Sequence, residues 1–140
     1  MAKFGHPHSL VREYERWAVL VRPRQVTLGS LVLVCTEPAR SFSGLSPQAF
    51  TELGRAVADI ERVLSTEFNY EKINYLMLMM VDPDVHFHVI PRYSSSQRFD
   101  NKILTDSGWP GPPDLDGGIV LDDEGTEGLV SRLRGAWEIG

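Results

Sequence analysis

Short apolar runs separated by turn residues mark the first half of the chain as β-structure. The runs at 17–21 and 28–35 are rich in Val and Leu and predict two strands. The polar residues 22–25, which include a proline, predict the turn between them. A longer apolar run at 73–81 predicts a further strand with both faces covered. Because successive strands usually pair as neighbours, the sheet is expected to be antiparallel.

The middle of the chain changes to a helical period. Ser46 and Pro47 suit the N-cap and first position of a helix. Apolar residues then recur every three or four positions to about Phe68, which predicts one buried stripe. Its members are Phe50, Leu53, Val57, Ile60 and Leu64. A second, shorter helix is predicted over 126–137, so the order of elements indicates an α+β fold.

Composition narrows the classes of protein to consider. The chain has 140 residues, 42% of them hydrophobic, which fits one domain with an ordinary core. The net charge of −5 disfavours binding to nucleic acid. Cys35 is the single cysteine, so an intrachain disulfide is excluded, and its apolar neighbours predict a buried thiol. No apolar stretch resembles a signal peptide or membrane span, and a cytoplasmic location is expected.

Residues 84–93, with the sequence DVHFHVIPRY, hold the strongest sign of chemistry. Along a strand, successive side chains point to opposite faces. Alternation therefore predicts that Asp84, His86 and His88 share one face, opposite an apolar face. Pro91 is expected to end the strand. Arg92 then adds a positive charge, and imidazoles near an arginine suit an anion such as phosphate.

A metal site is the alternative interpretation of this strand, since histidine is the commonest metal ligand. Strand geometry separates the positions of Asp84 and His88 by about 13 Å, so these residues cannot easily close on one ion. A third ligand would have to come from elsewhere, for example from His6 or His8. Both lie near the amino terminus, where a mobile polar segment is the simpler expectation.

The segment HFHVIPR at 86–92 resembles the signature of the histidine triad (HIT) superfamily. The residues at 17–34 are similar to the family's first strand pair, and the resemblance covers roughly residues 14–93. It implies a HIT-like domain over 1–140, with an antiparallel sheet of about five strands, one long helix and a short C-terminal helix. It also implies a homodimer joined edge to edge.

Two family positions imply the catalytic residues, and three others depart from the family pattern. The second and third triad histidines are His86 and His88, which implies a nucleotidyl-histidine on His86 and phosphate contact or leaving-group protonation by His88. Asp84 replaces the first triad histidine. Arg22 stands near an asparagine that binds ribose in several branches, and Met80 replaces a frequent Gln or Asn.

The resemblance implies hydrolysis or transfer at the α-phosphate of dinucleoside polyphosphates, nucleoside phosphoramidates or similar conjugates. Candidate nucleotide- and phosphate-binding residues are Arg92, Asp84, Arg22, Asn74 and Trp109. No cofactor is expected to be obligatory, although a divalent cation such as Mg²⁺ can accompany the substrate's phosphates. Two alternatives are open: a nucleotide-binding protein with little turnover, and a His-metal enzyme.

Residues 94–125 form a Pro/Gly-rich extension without hydrophobic periodicity. Such a long segment is typically either functional or disordered. Trp109 stands in the stiff sequence WPGPP at 109–113. The family resemblance implies that this segment reaches the partner subunit's site, whereas a Trp109 that covers its own core is an equally good interpretation.

Overall fold

The computed structural model describes residues 4–139, and its centre is a five-stranded antiparallel sheet with the order β1-β2-β4-β6-β5. Its strands are β1 (Leu10–Glu13), β2 (Trp17–Val21), β4 (Leu31–Cys35), β5 (Lys72–Leu76) and β6 (His86–Arg92). The two helices are α1 (Pro47–Glu67) and α2 (Asp123–Ile139). The α+β prediction is therefore confirmed, as is the prediction of an antiparallel sheet of about five strands.

One face of the sheet packs against both helices and forms the main core. Trp17, Leu33 and Val89 point to this face from three adjacent strands and are fully buried. Ile60 of α1 and Leu133 of α2 pack against them. His86 lies opposite Val34 and His88 opposite Val32, and this register follows from the burial, because a one-residue slip of β6 would direct its two histidines into the apolar core.

The other face of the sheet is covered by the amino-terminal segment. Ala18, Leu20, Val32 and Val34 are fully buried beneath Phe4, which is itself buried. The sequence predicted a mobile polar segment around His6 and His8 near the amino terminus, and residues 1–3 lie outside the described residues. Strand β1 was not predicted, because its sequence Leu-Val-Arg-Glu has two apolar residues followed by two charged ones and so lacks the alternation of a strand.

Helix α1 begins where the sequence predicted. The hydroxyl of Ser46 accepts a hydrogen bond from the amide of Ala49 at 3.1 Å, and Pro47 is the first helical residue. The predicted stripe is correct at Ile60 and Leu64, which are fully buried, but wrong at Phe50, whose side chain is exposed. Phe50 lies in the first turn and packs instead on Phe42 of the short 3₁₀-helix Phe42–Gly44, with ring centroids 5.5 Å apart.

The apolar run at 73–81 was interpreted wrongly as one strand covered on both faces. Strand β5 ends at Leu76 and lies at the edge of the sheet. The chain then leaves the sheet, passes through a left-handed conformation at Met79 (φ 53°), and exposes Met80 and Val81 to solvent. Strand β5 is only partly buried and the exposed residues of the run lie beyond its end, so the run does not form one strand covered on both faces.

Residues 94–125 contain more regular structure than their composition predicted. Strands β7 (Gln97–Phe99) and β8 (Lys102–Leu104) form a hairpin. Strand β9 (Ile119–Val120) pairs with β3 (Arg24–Gln25), which lies in the predicted turn after β2. Gly118 precedes β9 with φ +75°, and a Cβ there would meet the carbonyl oxygen of Gln25 at 2.0 Å, so glycine is required at this crossing.

No helix in residues 4–139 is both long and apolar enough to cross a membrane.

Helix α2 extends beyond the predicted 126–137 by three residues at its start and two at its end.

Candidate functional site

The two imidazoles of the HFH sequence lie side by side on the outer face of β6. His86 is 4% exposed and His88 is 9% exposed. Their ring centroids are 5.1 Å apart and the rings are nearly perpendicular, at 85°. Phe4 packs against both, with its centroid 5.2 Å from that of His86 and 6.3 Å from that of His88. The strand alternation predicted this shared face correctly, whereas nothing in the sequence indicated that Phe4 covers it.

A cavity of about 390 Å³ opens in front of the imidazoles. One wall comes from the turn after β2 and carries Arg22 and Arg24, while the apolar segment after β5 supplies Leu78 and Met80. The region before β9 closes the cavity with residues 115–116. The site thus combines Phe4 and the histidine strand with three other parts of the chain, and the sequence pointed only to the histidines and Arg22 as members of one site.

The main chain fixes the proton position on His86. Its Nδ1 lies 2.7 Å from the carbonyl oxygen of Asp84. A carbonyl oxygen can only accept, so Nδ1 carries the hydrogen and donates it. In the neutral ring the lone pair then resides on Nε2. His86 is therefore held in the tautomer that leaves Nε2 nucleophilic. The acceptor is a main-chain carbonyl, so this tautomer does not depend on the identity of the side chain at position 84.

Asp84 itself does not occupy the position that alternation predicted for it. Strand β6 begins at His86, and Asp84 lies in the bend before it, where its amide donates to the Asp82 carboxylate at 2.8 Å. Its side chain is half-buried and is not among the described residues that line the imidazole cavity. Strand alternation failed here because the turn after Pro83 breaks the extended backbone.

Arg22 contacts the second imidazole directly. Its Nε donates to Nδ1 of His88 at 3.3 Å, and its Nη1 donates to the carbonyl oxygen of Arg24 at 3.0 Å. Burial, and then the nearby charge of Arg24, lower the pKa of Arg22 from its usual value. A guanidinium nevertheless stays charged in proteins, so the cavity contains a fixed cation beside the imidazoles.

Arg92 does not line the imidazole cavity, although its place after the histidine strand suggested that it would lie beside the histidines. Its guanidinium makes a bidentate ion pair with Asp106, with Nε–Oδ2 at 2.7 Å and Nη2–Oδ1 at 3.0 Å. Its Nη1 also donates to Asn74 Oδ1 at 2.7 Å, and Nη2 donates to the carbonyl oxygen of Gly111 at 2.8 Å. Arg92 therefore anchors the extension to the sheet, and Asn74 serves as one of its partners.

Trp109 and Asn74 line a second pocket of about 510 Å³, together with Arg92, Lys72 and the Pro-rich residues 110–112. Trp109 is half-buried there. The structure therefore places four of the five predicted binding residues in two pockets, with Arg22 at the imidazoles and the other three at the second pocket, while Asp84 lines neither of them.

Among residues 4–139, no group of three or more His, Cys, Asp or Glu side chains is placed to bind one metal ion. His8, considered above as a spare ligand, lies instead near two acidic residues of α2. Its Nε2 is 3.8 Å from Asp123 Oδ1, and its Nδ1 is 3.8 Å from Glu127 Oε1.

This arrangement of sheet, helices and paired histidines is the fold of the histidine triad proteins. A histidine triad protein from Bradyrhizobium japonicum is similar to this chain, with 22% identity and a TM-score of 0.71, over 91% of this chain and 90% of that one. A hypothetical histidine triad nucleotide-binding protein from Sulfolobus tokodaii has 17% identity and a TM-score of 0.70, over 94% and 84% of the two chains.

The NitFhit protein of C. elegans also contains this fold. Its identity to this chain is 13% and the TM-score is 0.69, over 92% of this chain. This chain spans only 27% of the length of NitFhit. No protein-family model and no curated protein matches the chain. The comparisons confirm the histidine triad resemblance at the level of the fold.

Proposed function

We propose that this protein is a nucleotidyl hydrolase or transferase that uses His86 as its nucleophile. The observation that carries the proposal is the 2.7 Å hydrogen bond from His86 Nδ1 to the Asp84 carbonyl oxygen, which leaves Nε2 with its lone pair beside an open cavity. The histidine triad fold of the neighbours, one of them described as nucleotide-binding, supports a nucleotide as the substrate.

The proposed reaction has two steps. His86 Nε2 attacks the α-phosphorus, the N–P bond forms, and the bond from phosphorus to the leaving group breaks with its electron pair. Water, or an acceptor in a transferase, then attacks phosphorus, the P–N bond breaks with its electron pair returning to Nε2, and the proton of the attacking group passes to solvent. The Asp84 carbonyl holds the Nδ1 hydrogen throughout, so it stabilises the positive charge on the substituted ring. Arg22 places a positive charge beside the phosphate.

The cavity walls suit the two ends of a nucleotide. Apolar surface from Phe4, Leu78 and Met80 can cover a base or sugar, whereas Arg22 and Arg24 attract phosphate. The test is to mix the protein with a nucleotide conjugate labelled at the α-phosphate and quench within one turnover. Label bound to His86 by peptide mapping supports the proposal, and its absence while substrate is consumed contradicts it.

The alternative function is nucleotide binding with little turnover. It is favoured by the presence of Arg22 and Met80 where the family resemblance implies Asn and Gln or Asn. Titration calorimetry with a nucleoside monophosphate, run beside the labelling experiment, separates the two functions, because a binding protein shows affinity without any covalent label.

We expect that no protein-bound metal is needed for the chemical step, because the nucleophile needs the lone pair of His86 Nε2 for phosphorus. A divalent cation bound to the substrate's phosphates can still raise the rate. Elemental analysis of the purified protein, followed by chelation and assay with and without added Mg²⁺, checks this. Stoichiometric zinc or iron whose removal abolishes activity would favour the His-metal enzyme.

We also expect a two-fold dimer that forms through strand β5. Of the two edge strands, β1 has a carbonyl group already engaged, since Arg134 Nε donates to Leu10 O at 3.0 Å. Pairing of two β5 strands would cover an edge that otherwise invites aggregation. Light scattering should give twice the chain mass of 15.7 kDa, and amide exchange on β5 should accelerate on dilution. A monomer at micromolar concentration would contradict this.

A further inference from the structure

Each imidazole of the site is hydrogen-bonded through Nδ1 to a partner that can play only one role. The Asp84 carbonyl can only accept from His86, whereas the Arg22 guanidinium can only donate to His88. The proton positions on the two rings therefore follow from the partners. His86 carries its hydrogen on Nδ1 and His88 accepts on Nδ1, so the neutral His88 ring has its hydrogen on Nε2.

The contact with Arg22 also opposes a second proton on His88. That proton would have to displace the guanidinium from Nδ1, and it would place two cations side by side. Arg24 adds another positive charge to the same cavity, while Asp82 and Asp116 supply negative charge at its wall. The geometry therefore favours a neutral His88 that donates a hydrogen bond from Nε2. Such a ring does not give up that hydrogen completely, because its loss would create an imidazolate.

We infer that Arg22 is a positioning residue that keeps His88 a neutral hydrogen-bond donor, and that the site therefore acts on nucleotidyl anhydrides rather than nucleoside phosphoramidates. The inference rests on the proposed function. It replaces the expectation that His88 protonates the leaving group.

Leaving-group chemistry connects the tautomer to the substrate class. When His86 Nε2 attacks an anhydride, the leaving phosphate or carboxylate takes the electron pair of the broken P–O bond and departs as an anion without a proton. When it attacks a phosphoramidate, the amine departs with the electron pair of the P–N bond and requires a proton as it leaves. Among the described residues that line the cavity, the imidazoles are the side chains suited to deliver that proton, and the ring of His86 is occupied by phosphorus.

The kinetic test compares two substrates that share an adenylyl group, diadenosine triphosphate and adenosine 5′-phosphoramidate. The wild type should prefer the anhydride. In Arg22→Met, His88 can take a second proton, so the ratio of kcat/KM for the phosphoramidate to that for the anhydride should rise at least ~10-fold, given that general acid catalysis contributes about 10²–10⁴-fold. Arg24→Met is the matched control, because it removes an equal charge from the same cavity without touching His88 Nδ1, and it should raise the ratio much less than Arg22→Met does.

A second measurement does not depend on turnover. Nitrogen-15 NMR of the ligand-free wild type at neutral pH should show His86 with its hydrogen on Nδ1, His88 with its hydrogen on Nε2, and a through-hydrogen-bond correlation between Arg22 Nε and His88 Nδ1. A His88 that carries hydrogen on Nδ1, or on both nitrogens, overturns the inference whether or not the protein is active. An Arg22→Met ratio that is unchanged or shifted toward the anhydride overturns it as well. The expected tautomers in a protein that never forms a nucleotidyl-histidine would refute the proposed function and leave the role of Arg22 in orienting His88 intact.

Discussion

His86→Ala abolishes hydrolysis of an adenylylated substrate and removes the covalent label, while the protein stays folded. Loss of a covalent nucleophile removes the whole two-step route, so we expect kcat to fall roughly 10⁴-fold or more. The measurement is single-turnover hydrolysis together with labelling by an α-phosphate-labelled substrate. Near wild-type turnover in this variant would exclude His86 as the nucleophile.

Two further variants separate chemistry from packing. His86 is buried against Phe4, so truncation to alanine leaves a void and lowers stability to some degree. His86→Asn keeps a side-chain N–H that can donate to the Asp84 carbonyl but has no nucleophilic nitrogen, and it should be as inactive as the alanine variant. His88→Ala should still accept label, more slowly and with weaker substrate binding.

Asp106→Asn lowers the free energy of unfolding by about 3–5 kcal/mol, the range expected when one partner of a buried ion pair is removed. The side chains of Arg92 and Asp106 are 5% and 1% exposed, so loss of the carboxylate leaves a largely buried guanidinium without its charge partner. Urea unfolding followed by circular dichroism measures the change. A loss below about 1 kcal/mol would show that water or relaxation compensates the buried charge.

The chain provides a matched control at the same distance. Arg132 Nε lies 2.7 Å from Glu67 Oε1, as Arg92 Nε does from Asp106, but these side chains are 42% and 21% exposed. Glu67→Gln should therefore cost no more than about 1 kcal/mol. The double variant Arg92→Met/Asp106→Leu should recover part of the loss, because it leaves no unpaired charge in the interior.

The two ends of β6 differ in how well the sequence predicts the surroundings of their side chains. His86 and His88 could be placed together because strand alternation is a local rule, and the tautomer of His86 depends on a main-chain carbonyl two residues away. Arg92 follows the same alternation, yet its partner Asp106 comes from a segment without periodicity. Nothing in the sequence indicates that a carboxylate from that segment reaches the sheet and binds Arg92 away from the imidazole cavity.

The missed parts of the cavity have a common physical cause. Phe4 reaches the imidazoles only because the amino-terminal segment folds over the outer face of the sheet. Met80 enters the wall because the chain leaves β5 at Leu76, where an edge strand can end without leaving a buried gap. Both contacts depend on tertiary packing between distant parts of the chain. The spacing of apolar residues and the residues of local turns do not predict such contacts.

The buried thiol of Cys35 at the end of β4 can be used to measure how often the central strands separate. The thiol is 2% exposed, and burial raises its pKa, so both access and ionisation slow alkylation in the native state. Strand β4 pairs with β2 on one side and with the histidine strand β6 on the other. A reagent that reaches this sulfur therefore samples molecules whose central strands have separated, and the fraction of thiol that resists alkylation measures how much of the population keeps its two imidazoles in register.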